Sequence, residues 1–325
     1  MSESRGHTSG QPPAGLSWAD LIASLVEQHG TLTAVAWKLV EHASGDDVAS
    51  IERALRRLRG RGQLDGGVWG QRLLRVFGLP STIEARLRWM GLYHSPFNDL
   101  PVELCLDQVR VWDRPPVSES RARVWVQLGY ASCALRQQEY QQALQHTSLA
   151  SSGSPDDVAR VEILLIQAYV TSRDGGDVDA VLVRAESALE QGSLDAVDRA
   201  CMHARLVDQR AYQLNRRDEH AAALALYESL PAADIHPFAS YRRDAGRAYG
   251  FYKLGRRSDA IQLAQRACDH AGDGGYTRLR AMGLILLARI LGGVDGAAAL
   301  ARARAIADRL ADRELQGRCD AASSR

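Results

Sequence analysis

The sequence predicts an all-α protein in which a solenoid of helical hairpins follows a small helical domain. From about residue 121 onward, apolar residues recur at helical spacing between short polar breaks, without the alternation typical of strands. Residues 16–80 instead indicate three short helices with tight links, too few for a repeat array. We expect a disordered tail over 1–15, a three-helix domain over 16–80, a partly helical junction over 81–120, repeats over 121–312 and a tail over 313–325.

Composition and charge narrow the class of protein. A net charge of +1 gives no global field that would recruit nucleic acid or an anionic membrane, so any contact with a polyanion must come from a local patch. The five cysteines are scattered and never spaced C-x-x-C, which favours a reducing cytoplasm over a disulfide framework or a zinc site. The N-terminal stretch MSESRGHTSGQPPAG has no apolar run of the signal-peptide type, and we expect no membrane partner.

The first eighty residues carry clear helix boundaries. Ser17 is the expected N-cap of the first helix, with Asp20 completing a capping box and Gly30 ending the helix. The stretch TLTAVAWKLVEHAS predicts the second helix. The third, DDVASIERALRRLRG, opens on Asp46 and Asp47, which favour the positive end of a helix. The following GQLDGGVWG is either a small wing or a glycine-broken loop.

Arginines crowd the third helix and its end, opposite the helix's apolar stripe. The candidate DNA contacts are Arg53, Arg56, Arg57, Arg59 and Arg61. The segment GTLTAVAWKL, followed by ASIERALRRLRGRG, resembles Fis-like helix-turn-helix domains, although the intervening turn EHASGDD is several residues longer. In such modules the third helix enters the major groove with its exposed side outward. The alternative is that these arginines are simply a solvated helix face.

The junction is rich in prolines and aromatic residues. Half of the ten prolines lie between Pro80 and Pro116, and RWMGLYHSPFNDLP places Trp89, Tyr93, His94 and Phe97 within a few residues. We interpret this run as a rigid junction that docks the first domain on the repeats. The alternative is a partner-binding surface, because exposed aromatic residues are frequent anchors.

The repeats are predicted from pairs of small residues twelve positions apart. The pairs are Ala131 and Ala143, Ala168 and Ala180, Ala211 and Ala223, Ala248 and Ala260, and, more weakly, Ala288 and Leu300. Two antiparallel helices joined by a short turn approach closely only where the facing residues are small. We therefore expect each pair to mark one helical hairpin.

These hairpins resemble the tetratricopeptide repeat. In LGYASCALRQQEYQQALQHTSLASSGSP, the positions of Ala131, Tyr140, Ala143, Ala150 and Pro155 match that repeat, and AYGFYKLGRRSDAIQLAQRA matches likewise. The resemblance implies a concave groove lined by the first helix of each hairpin. The implied groove residues are Leu128, Arg136, Tyr169, Arg173, Tyr212, Asn215, Arg216, Tyr249, Tyr252 and Lys253.

The groove residues point to a class of partner. Three tyrosines share one position of the repeat and four basic residues share another, which suits an extended peptide or protein segment with acidic side chains or a free carboxylate. The alternative is that the basic residues only meet the negative ends of their helices.

No catalytic motif is present in the sequence. There is no phosphate loop, no dinucleotide fingerprint, no H-E-x-x-H and no G-x-S-x-G, and His94 near Asn98 and Asp99 is best explained as a packed loop histidine. We expect no catalytic residue, no metal and no cofactor. The sequence predicts a non-enzymatic cytoplasmic regulator, similar in outline to bacterial regulators that join a DNA-binding head to tetratricopeptide repeats. The alternative is a protein scaffold that makes no DNA contact.

Overall fold

A computed structural model describes residues 15–42, 47–232 and 235–324, and within these ranges the fold is all-α. The described residues form seventeen α-helices and two short 3-10 helices, with no strand among them, which confirms the predicted fold class. The chain divides into two compact units. Unit 1 comprises the described residues of Met1–Glu84 with Arg110–Arg123, and unit 2 comprises Ala85–Val109 with Val124–Arg325. The predicted N-terminal tail, apart from Gly15, and Asp46 lie outside the described residues.

Unit 1 contains four complete helices. They are α1 (Trp18–His29), α2 (Leu32–Glu41), α3 (Val48–Arg59) and α4 (Gly67–Phe77). The predicted capping box is present, because the Ser17 hydroxyl accepts from the Asp20 backbone N–H and the Asp20 carboxylate accepts from that of Ser17. Asp47 caps α3 by accepting from the Ser50 N–H at 2.8 Å. The first three helices pack on one another through apolar faces.

A fourth helix stands where the sequence indicated a wing or a loop. The prediction of three helices was wrong here. Gly66 and Gly70, which the sequence placed in a small wing or a glycine-broken loop, instead leave space for the indole ring of Trp18. The Trp18 ring is fully buried, and a Cβ at Gly66 would lie 2.2 Å from its Cζ2 atom. Gly70 leaves similar room one turn later. The 110–123 segment joins this end of unit 1, since the Glu119 carboxylate accepts from the Gly66 N–H at 3.0 Å.

The junction residues form two helices and two 3-10 turns. They are α5 (Ser81–Gly91), the turn Pro96–Asp99, α6 (Val102–Trp112) and the turn Val117–Glu119. The aromatic run lies inside unit 2, where the ring centroids of Trp89 and Phe97 are 5.1 Å apart and those of Tyr93 and Phe238 are 6.3 Å apart. It therefore contributes to the core of unit 2.

Unit 2 continues as five consecutive helix pairs, a repeat-like arrangement. The pairs are α7 (Arg123–Arg136) with α8 (Tyr140–Ser152), α9 (Asp157–Asp174) with α10 (Val178–Gln191), α11 (Ala196–Arg216) with α12 (His220–Glu228), α13 (Pro237–Lys253) with α14 (Arg257–Asp273), and α15 (Thr277–Leu291) with α16 (Gly293–Arg309). We call the first helix of each pair its inner helix. The inner helices α9, α11, α13 and α15 pack side by side, each against the next.

The paired small residues are buried in three of the five hairpins. Both alanines of the first, third and fourth pairs are at most 1% exposed. In the second pair Ala168 is buried but Ala180 is exposed. The inner helix α9 runs one residue further past its alanine than α7, α11 and α13 do, so α10 begins one residue later. One residue rotates a helix by about 100°, which turns Ala180 outward and leaves Ala185 as the buried small residue. In the fifth pair Ala299 takes the place expected for Leu300.

The predicted C-terminal tail is instead a helix, α17 (Arg313–Ser323). Its Leu315 and Cys319 are fully buried against α15 and α16. This apolar packing orders the segment as a helix although most of its residues are polar. The Asp312 carboxylate caps α17 by accepting from the Leu315 N–H at 3.0 Å. The sequence contains the capping residue and the apolar residues of an amphipathic helix here, but most of the stretch is polar and it was therefore predicted to be a tail.

The helix pairs of unit 2 close on themselves. The Asp312 carboxylate accepts from Arg136 Nε of α7 at 2.9 Å and from Arg278 Nε of α15 at 2.8 Å. Arg136 also donates to the Leu100 carbonyl at 2.8 Å, and the Val102 N–H donates to the Leu310 carbonyl at 3.0 Å. The first inner helix is therefore bonded to the segment that follows the last pair, so the two ends of the array of helix pairs meet.

Candidate binding cavity

A cavity of about 760 Å³ lies on the inner side of unit 2. Seven tyrosines and seven arginines, but only two carboxylates, are among the described residues that line it. The tyrosines are Tyr93, Tyr140, Tyr169, Tyr212, Tyr227, Tyr241 and Tyr249. The arginines are Arg173, Arg205, Arg216, Arg242, Arg278, Arg289 and Arg318, and the carboxylates are Asp208 and Glu314. The walls are therefore both aromatic and strongly cationic.

One part of the cavity wall is a cluster of buried arginines around Tyr93. The guanidinium carbon lies 4.5 Å from the Tyr93 ring centroid for Arg205, 5.7 Å for Arg278 and 5.9 Å for Arg242. Arg278 also donates to the Tyr93 hydroxyl at 2.6 Å. Three inner helices, α11, α13 and α15, each supply one of these arginines. Such cation–π contacts hold the guanidiniums together in a desolvated space.

Each arginine of this cluster is paired with a carboxylate, so the cluster is compensated. Arg205 donates to Glu162 at 2.6 Å, Arg242 bonds Asp208, and Arg278 bonds Asp312 and Glu314. Burial alone would lower the pKa of Arg242, but Asp208 and the neighbouring tyrosines together outweigh burial and hold that pKa above its ordinary value. Removing one partner of such a pair would leave a buried charge uncompensated.

A second part of the wall carries a ladder of tyrosines on successive inner helices. Tyr169, Tyr212 and Tyr249 each follow the small residue of their helix by one position and line the cavity. Arg173 lies four residues after Tyr169 and therefore on the same helix face. Its guanidinium carbon is 5.1 Å from the Tyr169 ring and 5.9 Å from the Tyr212 ring. An arginine thus lies between tyrosines of neighbouring helices.

Glu314 of α17 reaches the first step of this ladder. The Tyr169 hydroxyl donates to Glu314 Oε1, and Arg318 donates to the same oxygen at 2.6 Å. Although burial alone would raise the pKa of Glu314, Arg318 and Arg278 outweigh it and hold that pKa well below its usual range. Burial, and then Glu314, raise the pKa of Tyr169, so its hydroxyl stays protonated and able to donate.

Six of the ten predicted groove residues line the cavity and four do not. The six are Tyr169, Arg173, Tyr212, Asn215, Arg216 and Tyr249. Leu128 and Arg136 are at most 1% exposed, because α7 is buried along most of its length and the guanidinium of Arg136 bonds Asp312. Tyr252 and Lys253 are exposed at the end of α13, outside the cavity lining. These four positions are corrections to the groove that the repeat resemblance implied.

The buried arginine cluster and the contribution of α17 were not predicted from the sequence. One signal was available, because Arg205 and Arg242 both lie six residues before the small residue of their helix, at Ala211 and Ala248. Arg278 does not share that position, and Glu314 and Arg318 fall in the segment predicted as a tail. Tyr93 enters the cavity from the junction rather than from a repeat.

The candidate DNA contacts of unit 1 are exposed. Arg53, Arg56, Arg57 and Arg59 lie on α3, and Arg61 follows it. Arg56 pairs with Glu52 at 2.6 Å, and Arg53 Nε donates to the Ala49 carbonyl at 3.3 Å. The α3 arginines therefore form a cationic face that reaches solvent.

His94 belongs to a buried polar cluster. Its Nε2 lies 3.0 Å from Asp198 Oδ1, and Asp198 also pairs with Arg88. Nearby, the Cys201 sulfur lies 3.4 Å from His236 Nδ1. Burial raises the pKa of the Cys201 thiol to about 12, so the nucleophilic thiolate is disfavoured at neutral pH.

The residues that the structure describes include no group of three or more His, Cys, Asp or Glu side chains placed to hold a metal ion. None of their helices is both long enough and apolar enough to cross a membrane.

Asp99 gives unit 2 a pH-dependent penalty. Its carboxylate accepts from the Arg278 N–H at 2.5 Å, but burial raises its pKa to about 6. Below pH 4 the carboxyl is protonated in both the folded and the unfolded state and carries no penalty, but its ionisation lowers the free energy of unfolding as pH rises to 6 and above. We expect Asp99→Asn to keep the acceptor and to raise the free energy of unfolding by up to about 3 kcal/mol at pH 8. Urea unfolding at pH 5 should show a clearly smaller gain, and an equal gain at both values would contradict this assignment.

Comparisons with known proteins give no relative from which a role could be transferred. No protein-family model, no curated protein and no solved structure matches the chain.

Proposed function

We propose that unit 2 is a tetratricopeptide-like receptor whose cavity binds an acidic peptide or protein segment, and that unit 1 is the output domain of a non-enzymatic regulator. The observation that supports this most is the composition of the cavity wall, in which seven arginines and seven tyrosines face two carboxylates. The buried Glu162 and Asp312 also pair with lining arginines, so part of this positive charge is already balanced. Arginines still outnumber carboxylates on the wall itself, which favours an anionic ligand.

The chemistry of the wall favours carboxylates on a short segment. Guanidinium groups bind carboxylates through two parallel hydrogen bonds, and tyrosine hydroxyls donate to the same oxygens. A cavity of about 760 Å³ falls within the range of roughly 300–1,000 Å³ typical of small-ligand sites. A space of this size suits a short stretch of chain rather than a folded domain.

Calorimetric titration of the full chain with hexaglutamate and, as a matched neutral probe, hexaglutamine tests this proposal. We expect saturable binding of hexaglutamate that weakens as salt rises, because the excess charge of the wall is screened, and no binding of hexaglutamine. Replacing Arg53, Arg56 and Arg57 with glutamine should leave hexaglutamate binding unchanged, since these residues lie in unit 1. Equal binding of the two peptides, or no binding of either, would refute the proposal.

The exposed α3 arginines favour duplex DNA as the target of unit 1. With the full chain, the variant Arg53→Gln/Arg56→Gln/Arg57→Gln should bind duplex DNA more weakly and with a shallower dependence on salt, by about one unit of log–log slope per lost phosphate contact. The control variant Arg302→Gln/Arg309→Gln/Arg313→Gln removes three exposed arginines of unit 2 and should bind like the wild type. If the wild-type chain binds no duplex at low salt, unit 1 is a protein-interaction domain and the scaffold alternative stands.

A further inference from the structure

We propose that Tyr212 and Arg216 of α11 hold a side-chain carboxylate of the bound acidic segment, in the way that Tyr169 and Arg173 of α9 surround the chain's own Glu314. The inference rests on the proposed function, because it places one acidic group of that ligand. It adds the residues that bind this group and a template for their geometry within the same molecule.

The template is the first step of the tyrosine ladder. The Tyr169 hydroxyl donates to Glu314 Oε1, while Arg173 Nη2 donates to the Tyr169 hydroxyl at 2.9 Å and lies 3.8 Å from that carboxylate oxygen. A tyrosine and an arginine four residues apart on one helix face thus meet a carboxylate from another part of the chain. The cavity wall accepts an acidic side chain at this step without any change of fold.

The second step repeats the same pair. Tyr212 and Arg216 are also four residues apart, at the corresponding end of the neighbouring inner helix, and both line the cavity. Tyr212 is 41% exposed, and the Arg173 guanidinium lies 5.9 Å from its ring. Arg216 Nη1 donates to the Ser172 carbonyl of α9 at 3.2 Å, which holds its guanidinium towards the first step. The remaining donors of that guanidinium can serve a ligand.

Arg216 differs from its neighbours in its charge balance. Arg205, Arg242, Arg278 and Arg318 each pair with a carboxylate of the chain. Among the residues that the structure describes, no carboxylate pairs with Arg216. Arg216 is exposed, and a lining cation without an ionic partner attracts an incoming anion more strongly than a compensated cation does.

The third step of the ladder, on α13, lacks a cavity-lining tyrosine–arginine pair, so the proposed site is confined to α11. Tyr249 lines the cavity, but Lys253, four residues later, does not. Neighbouring helix axes lie about 8–10 Å apart, so a carboxylate held by Tyr212 and Arg216 would lie about one helix spacing from Glu314. At the first step of the ladder the bound carboxylate is the chain's own Glu314, and at the second step it would come from the ligand.

Hexaglutamate titration of single variants of the full chain tests the assignment. We expect Arg216→Gln to weaken binding by about 10-fold or more, since a hydrogen bond to a charged group contributes about 1.5–3 kcal/mol. Tyr212→Phe should weaken it less, and Arg216→Lys should fall between wild type and Arg216→Gln, because the charge remains while the forked geometry is lost. The matched control Arg217→Gln removes the adjacent exposed arginine, which pairs with Glu219 at 2.8 Å, and should bind like wild type.

The outcomes separate this inference from the proposed function. If wild type binds hexaglutamate and both Arg216→Gln and Tyr212→Phe bind it equally well, the site is elsewhere in the cavity and the inference is wrong. The same conclusion follows if Arg217→Gln loses as much affinity as Arg216→Gln, because the effect is then one of general charge. If wild type binds no hexaglutamate, the proposed function itself fails. Thermal unfolding midpoints equal to that of wild type would show that the variants are folded. If Arg216→Gln does not fold, Tyr212→Phe still tests the assignment.

Discussion

Replacing Asp312 with asparagine is expected to lower the free energy of unfolding by about 3–5 kcal/mol, because two buried guanidiniums lose their shared counter-charge. The Asp312 side chain is fully buried and accepts from both Arg136 and Arg278. Asparagine keeps the oxygen that caps α17 through the Leu315 N–H, so the helix cap is preserved. Urea unfolding at neutral pH, followed by far-UV circular dichroism, measures the loss.

The control for this experiment is an exposed pair of the same two residue types. Arg256 and Asp259 lie 2.6 Å apart with about half of each side chain exposed. Exposed pairs contribute about 0–1 kcal/mol, so Asp259→Asn should change the free energy of unfolding by no more than that. If Asp312→Asn and Asp259→Asn cost the same, the buried closure of unit 2 does not stabilise it as we describe.

Replacing Gly246 with alanine is the second change with a large expected effect. A Cβ at Gly246 of α13 would lie 2.1 Å from Cε1 of Tyr227, whose ring is buried. The Tyr227 hydroxyl donates to Asp208 at 2.8 Å, so displacing the ring would also strain a bond in the cavity wall. We expect a loss of at least about 1–3 kcal/mol from overpacking.

Another helical glycine supplies the control, because its expected effect has the opposite sign. A Cβ at Gly272 of α14 would meet no atom within 4 Å. Gly272→Ala should therefore stabilise the protein by about 0.5–1 kcal/mol through helix propensity alone. A Gly246→Ala variant as stable as Gly272→Ala would show that α12 and α13 are not packed as closely as the structure has them.

Local rules predicted much of unit 2. Pairs of small residues twelve positions apart marked the five hairpins, because the two helices of a hairpin pack closely only where the residues that face each other are small. The same rule failed at Ala180, because a helix one residue longer rotates everything that follows it, and sequence spacing alone does not reveal where a helix ends. Tyr169, Tyr212 and Tyr249 were found because each is fixed by its position relative to its own alanine.

Long-range pairing could not be predicted from the sequence. Arg136 had the residue type and the position of a groove cation, yet it bonds Asp312, which lies 176 residues away. Whether an arginine faces a ligand or a carboxylate of its own chain depends on how tightly the helix pairs curve, and no local pattern records that curvature. For the same reason Glu314 and Arg318, in a polar C-terminal stretch, were not recognised as cavity residues.

The net charge of the chain concealed the character of the cavity. An overall charge of +1 suggests no attraction for anions, whereas the cavity lining holds five more arginines than carboxylates. Folding places seven arginines and only two carboxylates on the cavity wall, while the remaining charges of the chain balance the total. Local field rather than net charge therefore governs which ligand the cavity attracts.

Photo-crosslinking of a hexaglutamate peptide that carries one benzophenone group is the most direct test of the central claim, that the cavity of unit 2 is the site for an acidic segment. After irradiation with the full chain, proteolysis and mass spectrometry identify the modified residues. We predict adducts on the cavity-facing parts of α9, α11 and α13 that unlabelled hexaglutamate suppresses and hexaglutamine does not. Adducts confined to unit 1 or to the second helix of each pair would contradict it.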